Sequence, residues 1–124
     1  MERLLIIQRG SQREALLTTP LIRILRKTFP NSKIFVLCTP FTVDLFRHNP
    51  NLTSILIHNQ RNHKHHKGLP KKELNKALKQ VQFTKVFVAD KSWQSAAFAH
   101  KTKAPFRIGF TNSRGSFLFT EKIR

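Results

Sequence analysis

Short apolar runs alternate with stretches of helical period along this 124-residue chain, and no other feature restricts the fold as much. Leu4–Ile7, Ile34–Cys38, Ser54–His58, Lys85–Ala89 and Arg107–Phe110 have strand length and read as mostly buried on both faces. Between the first two, Leu17, Leu21, Ile24 and Leu25 fall at i, i+4, i+7 and i+8, one stripe of a helix. Pro20 inside that stripe predicts a kink, or a helix that begins near Thr19 with proline at its first position. Phe41–Phe46 reads as a short helix ended by His48-Asn49-Pro50. Leu74, Ala77, Leu78 and Val81 predict a basic amphipathic helix over Lys71–Val81. Ser92–His100 predicts another, with Trp93, Ala96, Ala97 and His100 on one side.

Strands that alternate with helices build a parallel sheet from right-handed βαβ units. At this length the chain is one domain, residues 1–124, near the common size for a chain that buries its own core. The expected fold is therefore α/β, a Rossmann-like parallel sheet of about five to six strands flanked by helices. With strand order 3-2-1-4-5, the first and fourth strands are neighbours and the order reverses between them. Ligands of such sheets sit at the carboxyl ends of the strands at that point. Two strand-to-helix loops meet there: Gln8-Arg9-Gly10-Ser11-Gln12-Arg13 leading to Glu14, and Ala89-Asp90-Lys91-Ser92. Glu14 and Asp90–Ser92 are expected to face one crevice.

Composition narrows the function classes. Hydrophobic residues make up 40% of the chain, enough for a globular core. The apolar run after Met-Glu-Arg stops at four residues, too short for a signal peptide, and no segment reaches membrane-spanning length. The single cysteine, Cys38, excludes an internal disulfide and suits a reducing cytoplasm; inside an apolar run it reads as buried and inert. Twenty-three Lys and Arg against six Asp and Glu give a formal charge of +17, which implies an anionic partner. Nucleic acid, an acidic membrane surface and a phosphorylated sugar chain all qualify.

The local chemistry sorts these. A dinucleotide or P-loop site needs several patterned glycines, and the first loop has only Gly10. In that loop Glu14 is a first-turn acid of the kind a helix dipole stabilises. Asn59–Pro70 is polar, basic and punctuated by Gly68 and Pro70, so it reads as a loop. His63, His65 and His66 lie in it with no cysteine or neighbouring carboxylate to complete a metal site. Lys91 and Ser92 read as a capped helix start with a solvated lysine, and Trp93 as core. A nucleic-acid-binding module would account for the charge through phosphate neutralisation. The chain has no binding motif of that kind, and its aromatic residues sit in apolar runs instead of between basic ones.

Three stretches carry a resemblance to a known family. The first is the opening apolar strand with Leu17-Thr18-Thr19-Pro20. The second is Lys91-Ser92 with Ser95-Ala96. The third is Arg107-Ile108-Gly109-Phe110 with Ser116-Phe117-Leu118-Phe119-Thr120. In this order and spacing they resemble glycosyltransferase family 9, the lipopolysaccharide heptosyltransferases. Glu14 stands where the family has Asp, Arg13 where it has Gly, and Asp90 where His is common. The resemblance implies the acceptor-side, N-terminal half of a two-domain GT-B enzyme. That enzyme transfers heptose from ADP-heptose to the lipopolysaccharide inner core with inversion, usually without a metal or other cofactor.

Glu14 would then be the general base toward the acceptor hydroxyl. The longer side chain moves its oxygens by roughly an ångström, a shift that can cost about a hundredfold in rate. Gly10, Ser11, Asp90, Lys91 and Ser92 would bind the acceptor, joined by Arg61, Lys64 and Lys67 of the basic loop. The donor domain follows in relatives beyond the position of Arg124. These residues alone are thus expected to be inactive and to need a donor domain, from a separate chain if not their own. The expected setting is the cytoplasm or the inner face of the cytoplasmic membrane. The alternative reading is a basic domain that binds nucleic acid or an anionic surface without catalysis.

Overall fold

The computed structural model describes residues 2–58, 71–110 and 115–123. Six parallel strands form one sheet in the order β3-β2-β1-β4-β5-β6. These are β1 (Arg3–Ile7), β2 (Lys33–Cys38), β3 (Ser54–Ile57), β4 (Lys85–Val88), β5 (Phe106–Phe110) and β6 (Glu121–Ile123). The helices between them are α1 (Gln12–Thr28), α2 (Val43–Phe46), α3 (Lys71–Val81) and α4 (Trp93–Lys101), with a short 3-10 turn at Ser116–Leu118. The expected order holds, with β6 added outside β5. This last strand is three residues long and carries no apolar run, so its periodicity gave no signal.

β1 lies between β2 and β4, pairing Ile6 with Val36 on one side and Phe87 on the other. Its side chains alternate between two cores, as a strand's period of two requires. Leu4 and Ile6 join Ala15, Ile22, Leu25, Ile34, Val36 and Phe46 under α1 and α2. Leu5 and Ile7 join Leu74, Leu78, Val86, Phe98 and Phe119 under α3, α4 and the 3-10 turn. Both faces are thus covered, which is why β1 is apolar from Leu4 to Ile7.

α1 differs from its expected form in two ways. It begins at Gln12 and continues through Pro20. Proline lacks the N–H that would bond the Leu16 carbonyl; the Thr19 hydroxyl donates to that carbonyl at 2.8 Å instead. The buried face is Ala15, Thr18, Ile22 and Leu25, so the stripe Leu17, Leu21, Ile24, Leu25 is corrected. Apolar residues occur all round this helix, so their spacing leaves the phase open. The sheet selects the side with small residues, Ala15 and Thr18, which permit close approach, and Leu17 and Ile24 stay outside.

α4 is rotated from its expected phase too. Ser95, Ala96, Phe98 and Ala99 are buried, whereas Trp93 is 51% exposed and His100 is exposed. Trp93 is therefore not core. Its ring covers Gly115, whose φ of +84° is left-handed and whose hydrogen a Cβ would replace only by meeting the ring at 2.6 Å. α3 has the expected bounds, with Leu74 and Leu78 fully buried.

Candidate active site at the carboxyl ends of β1 and β4

α1 leaves β1 toward one face of the sheet and α4 leaves β4 toward the other, so the two loops part at the sheet's carboxyl edge. Gln8 joins them. It is 2% exposed, and its Nε2 donates to the Thr18 hydroxyl at 2.9 Å and to the Ala89 carbonyl at 3.3 Å. Its Oε1 accepts from the Gly10 N–H at 2.9 Å. The Thr18 hydroxyl in turn donates to the Glu14 carbonyl at 2.9 Å. One amide thus ties β1, the first turns of α1 and the end of β4 together, and it explains a polar threonine on the buried face of α1.

Glu14 occupies the third position of α1 and is exposed. It forms a capping box: the Ser11 hydroxyl accepts from the Glu14 N–H at 3.2 Å, and Glu14 Oε1 accepts from the Ser11 N–H at 3.4 Å. The Ser11 hydroxyl also lies 3.2 Å from Oε1. The other oxygen, Oε2, lies against Gly10, where a Cβ would come within 2.6 Å of it and within 2.8 Å of Gln8 Oε1. Gly10 therefore makes room for the carboxylate and for the buried amide at once. Arg13 is exposed and leaves this contact undisturbed.

Asp90 is the opposite case. It is 4% exposed, and Oδ2 accepts from the Arg9 N–H at 2.8 Å and from the Ser95 hydroxyl at 2.7 Å. Oδ1 accepts from the Ser92 N–H at 2.9 Å. Ser92 caps α4, its hydroxyl accepting from the Ser95 N–H at 3.0 Å and donating to the Ser95 hydroxyl at 3.0 Å. Lys91 is exposed, with its ammonium 5.8 Å from the centre of the Phe110 ring.

Arg9 extends along the same edge. Its Nη2 donates to Gln94 Oε1 at 3.0 Å, and its guanidinium carbon stands 5.5 Å over the Phe98 ring. Burial pulls its pKa below the ordinary value, and the nearby Asp90 charge works against that shift. Gln8, Arg9 and Gln94 were not singled out in the sequence, and Ser95 entered only as part of the family resemblance. A polar residue directly after an apolar strand at the switch point was the available signal for Gln8. Arg61, Lys64 and Lys67, with the histidines beside them, lie outside the described residues. Among the described residues no group of three potential metal ligands occurs.

The later motifs are architectural. A Cβ on Gly109 would meet the Phe119 ring at 2.2 Å, so glycine lets that buried ring lie against β5. Arg107 Nε donates to the Leu118 carbonyl at 2.9 Å and Nη1 to the Ala104 carbonyl at 2.8 Å. Thr120 closes the same join, its hydroxyl accepting from the Arg107 N–H at 2.7 Å.

A parallel sheet in this order, with two loops divided at its switch point, has the GT-B-like fold of glycosyltransferases. The chain resembles glycosyltransferase family 9 in particular: residues 72–124 match the model of that family, described as heptosyltransferase. No curated protein sequence matches the chain. Among solved structures, a glycosyl transferase family 9 protein from Veillonella parvula superposes with a TM-score of 0.82 at 19% identity, over 99% of this chain and 36% of its own. ADP-heptose LPS heptosyltransferase II of E. coli gives 0.73 at 18%, over 100% and 35%. E. coli heptosyltransferase WaaC, solved with ADP, gives 0.75 at 14%, over 98% and 40%. The chain thus spans well under half of each of these structures. The family match takes in Asp90, Lys91 and Ser92, and the loop with Glu14 precedes it.

Proposed function

We propose that these residues form the acceptor-side half of a heptosyltransferase-type glycosyltransferase. In this reading heptose passes from ADP-heptose to a hydroxyl of the lipopolysaccharide inner core, with inversion and without a metal or other cofactor. The observation that carries it is the join between the two loops. The family match covers the β4–α4 loop, and Gln8, Arg9 and Asp90 bind that loop to the one bearing Glu14. Glu14 is the general base: its carboxylate takes the acceptor proton as the hydroxyl oxygen attacks the anomeric carbon, and ADP leaves from the opposite side. Ser11 and Gly10 hold that carboxylate in position, and exposed Lys91 meets an anionic group of the acceptor. In this reading Arg61, Lys64 and Lys67 supply further cations for the anionic acceptor. Asp90 and Ser92 act from within, shaping the loop that carries Lys91.

Donor binding falls to sequence beyond these 124 residues, carried on the same polypeptide or on a separate one. The acceptor is an amphiphile, so the chain works peripherally at the inner face of the cytoplasmic membrane. The test is heptose transfer from ADP-heptose to a delipidated inner-core acceptor, with a donor-binding half supplied. Glu14→Gln keeps the capping box and removes the base, and transfer falls about a hundredfold or more. Unchanged transfer in Glu14→Gln refutes the assignment of the base. Absence of acceptor binding by the chain, in the wild type and Lys91→Ala alike, refutes the acceptor-side reading.

A further inference from the structure

We infer that the outward face of α1, with Phe41 beside it, is a docking surface for an anionic lipid bilayer. Leu16, Leu17 and Ile24 are 59%, 68% and 59% exposed, large values for apolar side chains on a helix that has a core to join. With exposed Pro20 they fall at i, i+1, i+4 and i+8, one ridge along the helix. The ridge does not end with α1. Gln12 Nε2 donates to the Phe41 carbonyl at 3.3 Å, which holds the Phe41 loop against the helix start, and the Phe41 side chain is 66% exposed.

Charge selects the occupant. The charged residues exposed along this ridge are Arg13, Arg23 and Lys27, all basic. Glu14 is turned into the capping box, and Asp44 of the neighbouring α2 pairs with Arg47 at 3.1 Å. An apolar ridge flanked by Arg and Lys matches an interfacial helix, whose apolar side chains enter the acyl boundary while its cations meet lipid phosphates. A second copy would bring two chains of charge +17 together. Nucleic acid would meet the cations but leave Leu16, Leu17 and Ile24 without a favourable neighbour.

This deepens the peripheral-membrane part of the proposed function and rests on it for its setting; the transferase chemistry is not needed. The ridge starts two residues after Glu14, so a bilayer seated on it lies beside the candidate site.

Co-sedimentation of the full chain with phosphatidylglycerol vesicles tests the inference, phosphatidylcholine vesicles being the neutral control. The wild type is expected to bind the anionic vesicles and the triple variant L16S/L17S/I24S to bind at least about tenfold more weakly. R23E/K27E is expected to weaken binding by a similar factor. Circular dichroism checks that each variant is folded, and Phe41→Ser supplies an independent apolar variant outside the helix. Wild-type binding that survives in both serine variants overturns the ridge and leaves the peripheral reading standing. No wild-type binding overturns both. A wild type that is dimeric without lipid, and monomeric as the triple variant, assigns the ridge to self-association and overturns the proposal. Transfer to a delipidated acceptor in the triple variant reports the transferase reading separately.

Discussion

The loops that follow β1 and β4 each bring a carboxylate to the same edge of the sheet, and the two side chains meet different fates. Asp90 is buried and accepts from Arg9, Ser92 and Ser95. Glu14 is exposed, with one oxygen in a capping box and the other beside Gly10. A carboxylate whose lone pairs already face three fixed donors organises a loop. One held by its own helix start at the surface remains accessible to a ligand. The difference comes from the turns: β4 leads at once into a capped helix that folds over Asp90, while Gly10 opens the β1 loop.

The widest separation of these roles comes from paired variants. Asp90→Ala leaves three donors without their acceptor and is expected to lower stability by about 3 kcal/mol. Glu14→Gln keeps the cap and is expected to change stability by less than about 0.5 kcal/mol. Denaturant titrations of both measure the contrast, and equal losses would erase it. Gln8→Leu asks whether the two loops are one unit. It strips partners from the Gly10 N–H and the Ala89 carbonyl, for an expected loss of about 2 kcal/mol in the same titration. In a double-mutant cycle with Asp90→Ala, the two losses should be non-additive.

Cys38 at the end of β2 extends the comparison to a buried acid with no charged partner among the described residues. Burial pushes its thiol up to about 12, against a smaller opposing effect of the Thr42 hydrogen bond. The folded form therefore holds the proton that the unfolded form releases above about pH 9. The contribution is complete below that pH and is lost as pH rises toward 12, by about 1 kcal/mol per unit. Unfolding free energies of wild type and Cys38→Ser between pH 8 and about 10.5 check the sign. The smallest effect belongs to the opposite edge of the sheet, where Gln82 and Lys103 follow helices with φ of +59°. Lys103→Gly relieves the left-handed strain and is expected to raise stability by about 0.5 kcal/mol, read as a small increase in Tm.

Much of the architecture was legible in the order of the residues. Five strands, the helix bounds of α3 and the placement of both loops at one edge followed from run lengths and periods. The phase of α1 and the exposure of Trp93 did not, because apolar residues on all sides of a helix define no single face. β6 was missed for the opposite reason, since a short edge strand needs few apolar residues. At the site, Glu14 and Ser92 were visible as local helix-start chemistry. The buried bonds of Gln8 and Arg9 join residues about eighty positions apart, and no local pattern records them.

Taken alone, the amino-acid order determined the class of fold, the basic charge and the family resemblance. These depend on local periods, composition and spaced motifs. Tertiary structure decided which carboxylate is enclosed, which face of α1 is left outside and why Gly109 and Gly115 are glycines. Each of those outcomes is set by contact between distant segments, where the space left by one side chain determines the place of another.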